Sequence, residues 1–249
     1  MQEGEEAKLV AACAPHLRAV VEAALETGMR RGEILSLQWQ QVEGMTVEGT
    51  TVRWAPKAAL FLPHQKTKTR KDRRVPISSR LKSILEMRRF DLAGQPLAGD
   101  TYVFGTEIGT RLLGFSRASS TARLRAHGYT PAYTATANLT PESRVALKAF
   151  DLHFHDLRRE AGSRWLDGGV PLHTVRDWLG HTSIAQTSTY LAGTLQTQHD
   201  AMTRFEANRA ALQPLATAAG TGGQTGPRSA TEEDGTLNRI AVGRDTPIM

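Results

Sequence analysis

The sequence predicts an α+β fold that is mainly α, a helical domain carrying one small antiparallel β-sheet. Three observations predict it. Apolar residues recur at helical spacing along most of the chain up to about Glu206. The texture turns to short β-like runs only between Met45 and Ile77. An apolar share of 40% in 249 residues is enough for a core and argues against wholesale disorder.

Taken in order, Leu17, Val20, Val21, Ala24 and Leu25 fall on one helix face, and Gly28 supplies a stop. A second helix is expected from about Gly32 to Val42, with Ile34, Leu35 and Leu37 turned inward. Three strands are then expected at Thr50–Trp54, Leu60–Leu62 and Arg74–Ile77, with Gly49 and the loop before Arg74 separating them. Helical spacing returns over Ser79–Phe90, with Ser78 or Ser79 as N-cap, and again over Ser116–Ala126. Residues 127–141 read as an irregular loop. Helices follow at Pro141–Lys148, His155–Asp167 and Leu172–Leu179, the last bounded by Pro171 and Gly180. After about Glu206 the chain is rich in Thr, Gly and Ala with few large apolar residues. We expect residues 1–206 to form the folded domain and 207–249 a disordered tail.

The net charge is +6. Residues 207–249 hold Arg209, Arg228, Arg239 and Arg244 against Glu232, Glu233, Asp234 and Asp245, so the excess belongs to residues 1–206. Such an excess suits a polyanionic partner, although many soluble proteins carry it. Cys13 is the only cysteine, which excludes an internal disulfide and cysteine-based zinc sites. The first residues are acidic and lack a signal-peptide core, and no apolar stretch approaches the roughly 20 residues of a membrane span. The expectation is a cytoplasmic protein with no membrane partner.

Four segments could carry chemistry. Thr27-Gly28-Met29-Arg30-Arg31-Gly32-Glu33 places Arg30 in a tight link before a helix N-terminus, where an anion is favoured. A plainer meaning is a surface pair between Arg30 or Arg31 and Glu33 or Glu26. His64 to Arg74 holds six basic residues between positions 66 and 74, which is either a solvated face or a hairpin lining phosphates. His155 and Arg158 share a helix face at i and i+3, beside an apolar face of Phe154, Leu157, Ala161 and Trp165. By itself this pair is more commonly a solvated basic patch. Leu179-Gly180-His181 precedes a polar stretch ending at Tyr190, whose ordinary meaning would be packing. Together the four supply one reaction. Breaking a phosphodiester without metal needs a nucleophile, cations on the non-bridging oxygens and an acid for the leaving oxygen. Arginine suits the second role because its planar fork binds phosphate and stays charged.

In that combination the chain resembles the tyrosine recombinases, the phage-integrase type of enzyme. The resemblance runs from about residue 8 to 206 and meets six positions in order: Arg30, Lys68, His155, Arg158, His181 and Tyr190. Arg73-Arg74-Val75-Pro76 is similar to the family's Arg-x-Val-Pro strand and selects Lys68, with Lys66 and Lys71 close by. The resemblance implies a catalytic domain in which Tyr190 attacks the scissile phosphate to give a 3′-phosphotyrosyl link and a 5′-hydroxyl. It implies that Arg30 and Arg158 hold the non-bridging oxygens, Lys68 protonates the leaving oxygen, His155 assists proton transfer at the tyrosine and His181 bonds the phosphate. Lys66, Arg70, Lys71 and Arg73 are expected to contact DNA. No metal or nucleotide cofactor is implied. The implied partners are double-stranded DNA, three further copies in a homotetramer on DNA, and accessory DNA-bending proteins.

The sequence departs from the family's pattern at Arg159, where many relatives have His, and at Glu160, in place of a common Thr. Residues 127–150 are longer than the usual connection. The N-terminal core-binding domain of the family is expected to be absent. Two other functions fit parts of the pattern: relaxation of DNA in the manner of a type IB topoisomerase, and a truncated remnant that binds DNA without cutting it.

Overall fold

The computed structural model describes residues 4–64, 71–150 and 152–188, with a few positions between 199 and 207. Residues up to 198 belong to one compact unit and those from 199 to a second. In the second, the described residues 202–203 and 205–207 are helical, and the Thr203 hydroxyl donates to the carbonyl of His199 at 3.0 Å. The tail expected from 207 onward lies, beyond Ala207 itself, outside the described residues.

The first unit opens with α1 (Glu5–Ala12) and α2 (Pro15–Thr27). Pro15 sits in the first turn of α2, where its missing N–H costs nothing. The predicted face is the buried one: Leu17, Val20, Val21, Ala24 and Leu25 are all at most 3% exposed. Gly28 ends the helix at φ 57°, and its N–H donates to the carbonyl of Ala24 at 2.9 Å. An added Cβ there would lie 2.6 Å from Leu179 Cδ2, so glycine is required by space as well as by backbone. The lead-in read only as acidic is helical because α1 packs on a later helix and buries Leu9.

The helix expected from Gly32 to Val42 stops early. α3 spans Arg31–Leu35, a 3-10 turn covers Trp39–Gln41, and Val42 already begins a strand. The cause is a pairing distant in sequence. Trp39 N–H donates to Thr101 O at 3.1 Å, Gln40 N–H to Gly99 O at 2.7 Å, and Val103 N–H to Leu37 O at 2.9 Å. Those bonds take the backbone groups a helix would have used.

The sheet is antiparallel with order β1-β2-β3, built from β1 (Val42–Glu48), β2 (Thr51–Leu62) and β3 (Arg73–Pro76). Two runs expected as separate strands are one strand, β2. Its register against β1 slips between Glu43 and Met45, at Gly44 with φ 77°. Pro56, which has no N–H to donate, sits among the extra residues 55–58 by which β2 bulges opposite Gly44.

Five further helices fall close to their predicted spans: α4 (Ser79–Arg88), α5 (Ser116–Ala126), α6 (Pro141–Ala149), α7 (Phe154–Asp167) and α8 (Leu172–Leu179); a short α9 (Ile184–Ser188), not predicted from the sequence, follows. Ser78 caps α4, its Oγ accepting from Leu81 N–H at 3.2 Å. Helix α1 packs on α5, α2 on α7, α7 on α8, and α8 on β3. Arg80 reaches Glu6, Glu22 and Glu26, and Arg164 reaches Glu6 and Glu160, so these ion pairs tie α1, α2, α4 and α7 together. No helix among the described residues is long and apolar enough to cross a membrane.

Candidate active site

Four of the six chemistry-bearing positions come from three separate elements and meet in one place. Arg30 is the N-cap residue of α3, held in extended backbone at φ −68° and ψ 152°. His155 and Arg158 lie on the first two turns of α7, and His181 follows the Gly180 cap of α8. Their proximity is visible in their electrostatics. His181 is pushed down to about 4, by burial first and then by the charges of Arg158, Arg30, Arg73 and His155. His155 is lowered by burial and by Arg158, Arg159 and Arg30, with Asp156 opposing. Both imidazoles are therefore neutral near pH 7.

Arg158 is 2% exposed. Its Nη1 donates to Gly28 O at 2.6 Å and its Nη2 to Leu179 O at 2.5 Å. Those carbonyls end α2 and α8, so one guanidinium holds the ends of two helices at the face of a third. His181 is half-buried, with Nδ1 2.9 Å from Oγ1 of the fully buried Thr187 on α9. Its backbone N–H donates to Arg176 O at 3.0 Å, closing the turn that Gly180 makes at φ 66°.

Arg30 and Arg73 share the carboxylate of Glu33, which is 4% exposed. Glu33 Oε2 accepts the backbone N–H of Arg30 at 2.7 Å and Nη2 of Arg73 at 2.6 Å. Glu33 Oε1 accepts Nη1 of Arg30 at 3.1 Å and Nη1 of Arg73 at 3.2 Å. Burial alone would raise this carboxyl, but Arg73 first and then Arg30 hold it below the usual carboxylate range. The sequence offered Glu33 only as a surface partner for Arg30. Its spacing three residues on was the available signal, and its depth was not visible.

The basic hairpin divides. Lys66, Lys68 and Arg70 lie outside the described residues, as does Tyr190. Lys71 is exposed just before β3. Arg73, expected to contact DNA, is instead turned inward with a side chain only 5% exposed and its fork spent on Glu33. Arg74 points out and pairs with Glu43 through Nε and Nη2 at 2.7 and 3.0 Å. At the mouth of the loop, Asp72 Oδ1 accepts the N–H of His64 at 2.5 Å and lies 3.0 Å from its Nδ1. This clasp joins the two ends of the segment that holds the remaining basic residues.

Residues 1–196 match the family model described as the phage integrase family. The chain belongs to the phage integrase family. It is 29% identical over 175 residues to a shufflon-specific DNA recombinase of Escherichia coli, covering 70% of this chain and 34% of that protein. It is 25% identical over 181 residues to transposase B from transposon Tn554 of Staphylococcus aureus, covering 73% of this chain and 25% of that protein. The chain thus spans about a third of one of these curated relatives and a quarter of the other. Among solved structures, the fold is shared with XerA recombinase at TM-score 0.51 and 19% identity, over 82% of this chain and 64% of that one. It is shared also with the XerH site-specific recombinase in a pre-cleavage complex with its difH substrate, at TM-score 0.50 and 18% identity, over 83% of this chain and 54% of that one.

Proposed function

We propose that this member of the phage integrase family cleaves and rejoins DNA strands through Tyr190, as the chemical step of site-specific recombination. The observation that carries the reading is the convergence of Arg30, His155, Arg158 and His181 from α3, α7 and the end of α8. A cluster of cations and neutral imidazoles around one point suits a phosphodiester. Arg30 and Arg158 hold its non-bridging oxygens and offset the charge that develops there; losing one such donor typically costs roughly 10²–10³ in rate. The tyrosine oxygen attacks phosphorus, the bond to the 5′-oxygen breaks, and Lys68 delivers the proton that makes the leaving 5′-hydroxyl. His155, neutral because of burial and neighbouring cations, accepts the tyrosine proton. Nδ1 of His181 lies 2.9 Å from the Thr187 hydroxyl; in the tautomer that accepts from that hydroxyl, the proton of neutral His181 is on Nε2 and available to a phosphate oxygen. Attack by a partner strand's 5′-hydroxyl reverses the step and restores the tyrosine.

Double-stranded DNA is the proposed partner, with a tetramer around two sites needed for complete exchange and DNA-bending proteins as accessories. The named relatives are a recombinase and a transposase, which supports strand exchange over relaxation of the topoisomerase type. The phosphate contacts are blind to sequence, so the choice of site resides elsewhere. A suicide substrate, nicked so that the cleaved strand end diffuses away, tests the reading. Wild-type chain accumulates a covalent protein–DNA adduct, whereas Tyr190→Phe binds the DNA and forms none. An adduct that survives in the phenylalanine variant would sink the assignment.

A further inference from the structure

The inference concerns Arg73, and it rests on the reading of the chain as a strand-cleaving enzyme. Arg73 opens β3, on the strand that leads out of the basic loop, yet it is buried and does not face solvent. Its two Nη atoms take both oxygens of Glu33, and Oε1 of Glu33 is shared with Nη1 of Arg30. The same guanidinium lies against Gly180, so close that a Cβ at that position would be 2.5 Å from Nη1. One buried cation therefore touches the carboxylate that orients Arg30 and the residue that precedes His181.

We propose that Arg73 is a positioning residue for strand cleavage: its fork on Glu33 fixes the direction of Arg30, and its packing on Gly180 fixes the seat of His181. The charge balance explains why this is needed. Glu33 is a buried anion with two arginine partners. With Arg73 present, its charge is met from within and Arg30 is bound through a single Nη. With Arg73 gone, the carboxylate stays buried and draws Arg30 fully onto itself. Arg30 is then cancelled as a cation and turned from the phosphate. Lysine does not substitute, because a single ammonium cannot span both oxygens as the planar fork does.

The test uses the full chain with Arg73→Met, Arg73→Lys and the double variant Glu33→Gln/Arg73→Met. The first readout is the single-turnover rate of adduct formation on the suicide substrate, measured below each variant's melting temperature. Arg73→Met should slow it by about 100-fold and Arg73→Lys by about tenfold, the scale of a misplaced charge-stabilising donor. The double variant should regain about tenfold over Arg73→Met, because no carboxylate remains to capture Arg30. The second readout needs no catalysis: the side-chain Nε–H signal of Arg30 in nitrogen-15-labelled, DNA-free protein, assigned through Arg30→Lys. It should move or broaden in Arg73→Lys and in Arg73→Met. A pair that only stabilises the fold would lower the melting temperature and leave that signal in place. The proposal is overturned if the Arg30 signal is unmoved in Arg73→Lys, or if the double variant is as slow as Arg73→Met. Should wild-type chain form no adduct, the proposed function falls, and the Arg30 signal still decides the role of Arg73.

Discussion

Gly28 is where backbone, packing and site geometry meet, and Gly28→Ala should be expensive for reasons that can be separated. The residue sits at φ 57°, where an L side chain costs about 1–2 kcal/mol. The new methyl would also fall 2.6 Å from Leu179 Cδ2 and 3.3 Å from Trp165, which is itself packed edge-on with Trp178. Overpacking of this kind costs about 1–3 kcal/mol. A total of about 3 kcal/mol lowers the melting temperature of a unit this size by about 6–12 °C. Gly49 supplies the control: φ is 61° and nothing lies within 4 Å of its Cβ position, so Gly49→Ala carries the backbone part alone. Thermal melts followed by circular dichroism compare the two. Because Gly28 O accepts from Arg158 Nη1, Gly28→Ala should also slow adduct formation, whereas Gly49→Ala should not. If the two variants melt within about 2 °C of one another, the steric half of the reasoning is wrong, since 2 °C is the effect of about 1 kcal/mol or less.

Two further outcomes follow from His181. Thr187→Val keeps the shape of a buried side chain and removes the hydroxyl 2.9 Å from Nδ1; losing about 1 kcal/mol of orientation should slow adduct formation about fivefold, and an unchanged rate would mean that this contact does not set the tautomer. The imidazole also reports on acid stability. Its folded value of about 4 lies below the ordinary 6.5, so between those limits the unfolded chain takes up a proton that the fold refuses. The contribution is fully present above pH 6.5 and is lost as pH falls towards 4. Urea midpoints should decline over that window, and His181→Gln should flatten the decline; an identical slope in both proteins would contradict the pKa assigned to His181.

What the sequence made legible was local. The apolar face from Leu17 to Leu25, the stop at Gly28 and the bounds of α8 are written in spacings of three and four residues and in Pro and Gly placement, and each is found where expected. The failures share one cause. The helix after Gly32 was cut short by hydrogen bonds to residues 99–103, and β2 runs through Pro56 because the strand bulges there, leaving residues 55–58 out of the ladder opposite Gly44. Arg73 looked like part of a solvated charge run because its partner Glu33 lies forty positions away. Thr187 was one more hydroxyl in a polar stretch until α9 turned it inward against His181. The arginines and histidines of the site were legible as motif residues, but the groups that aim them were not, because aiming is done across the fold.

That division bears on how the two site arginines differ. A helix leaves its last carbonyls without partners and gathers negative potential at that end. Arg158 meets two such ends, at Gly28 and Leu179, and the cost of burying its charge is offset by those oxygens. It therefore joins α2, α7 and α8 with the same guanidinium that is proposed to face the phosphate. Arg30 is built differently. Its side chain is 27% exposed, it begins a helix, and its Nη1 is bonded to Glu33. Removing Arg158 strips the ends of two helices, so its stability and its chemistry cannot be varied independently. Removing Arg30 leaves Glu33 still paired with Arg73, so the fold keeps its buried charge balance and the loss falls on the chemistry. Evolution could thus adjust Arg30 through Glu33 and Arg73 without touching the core, whereas Arg158 is fixed by the helices that it holds together.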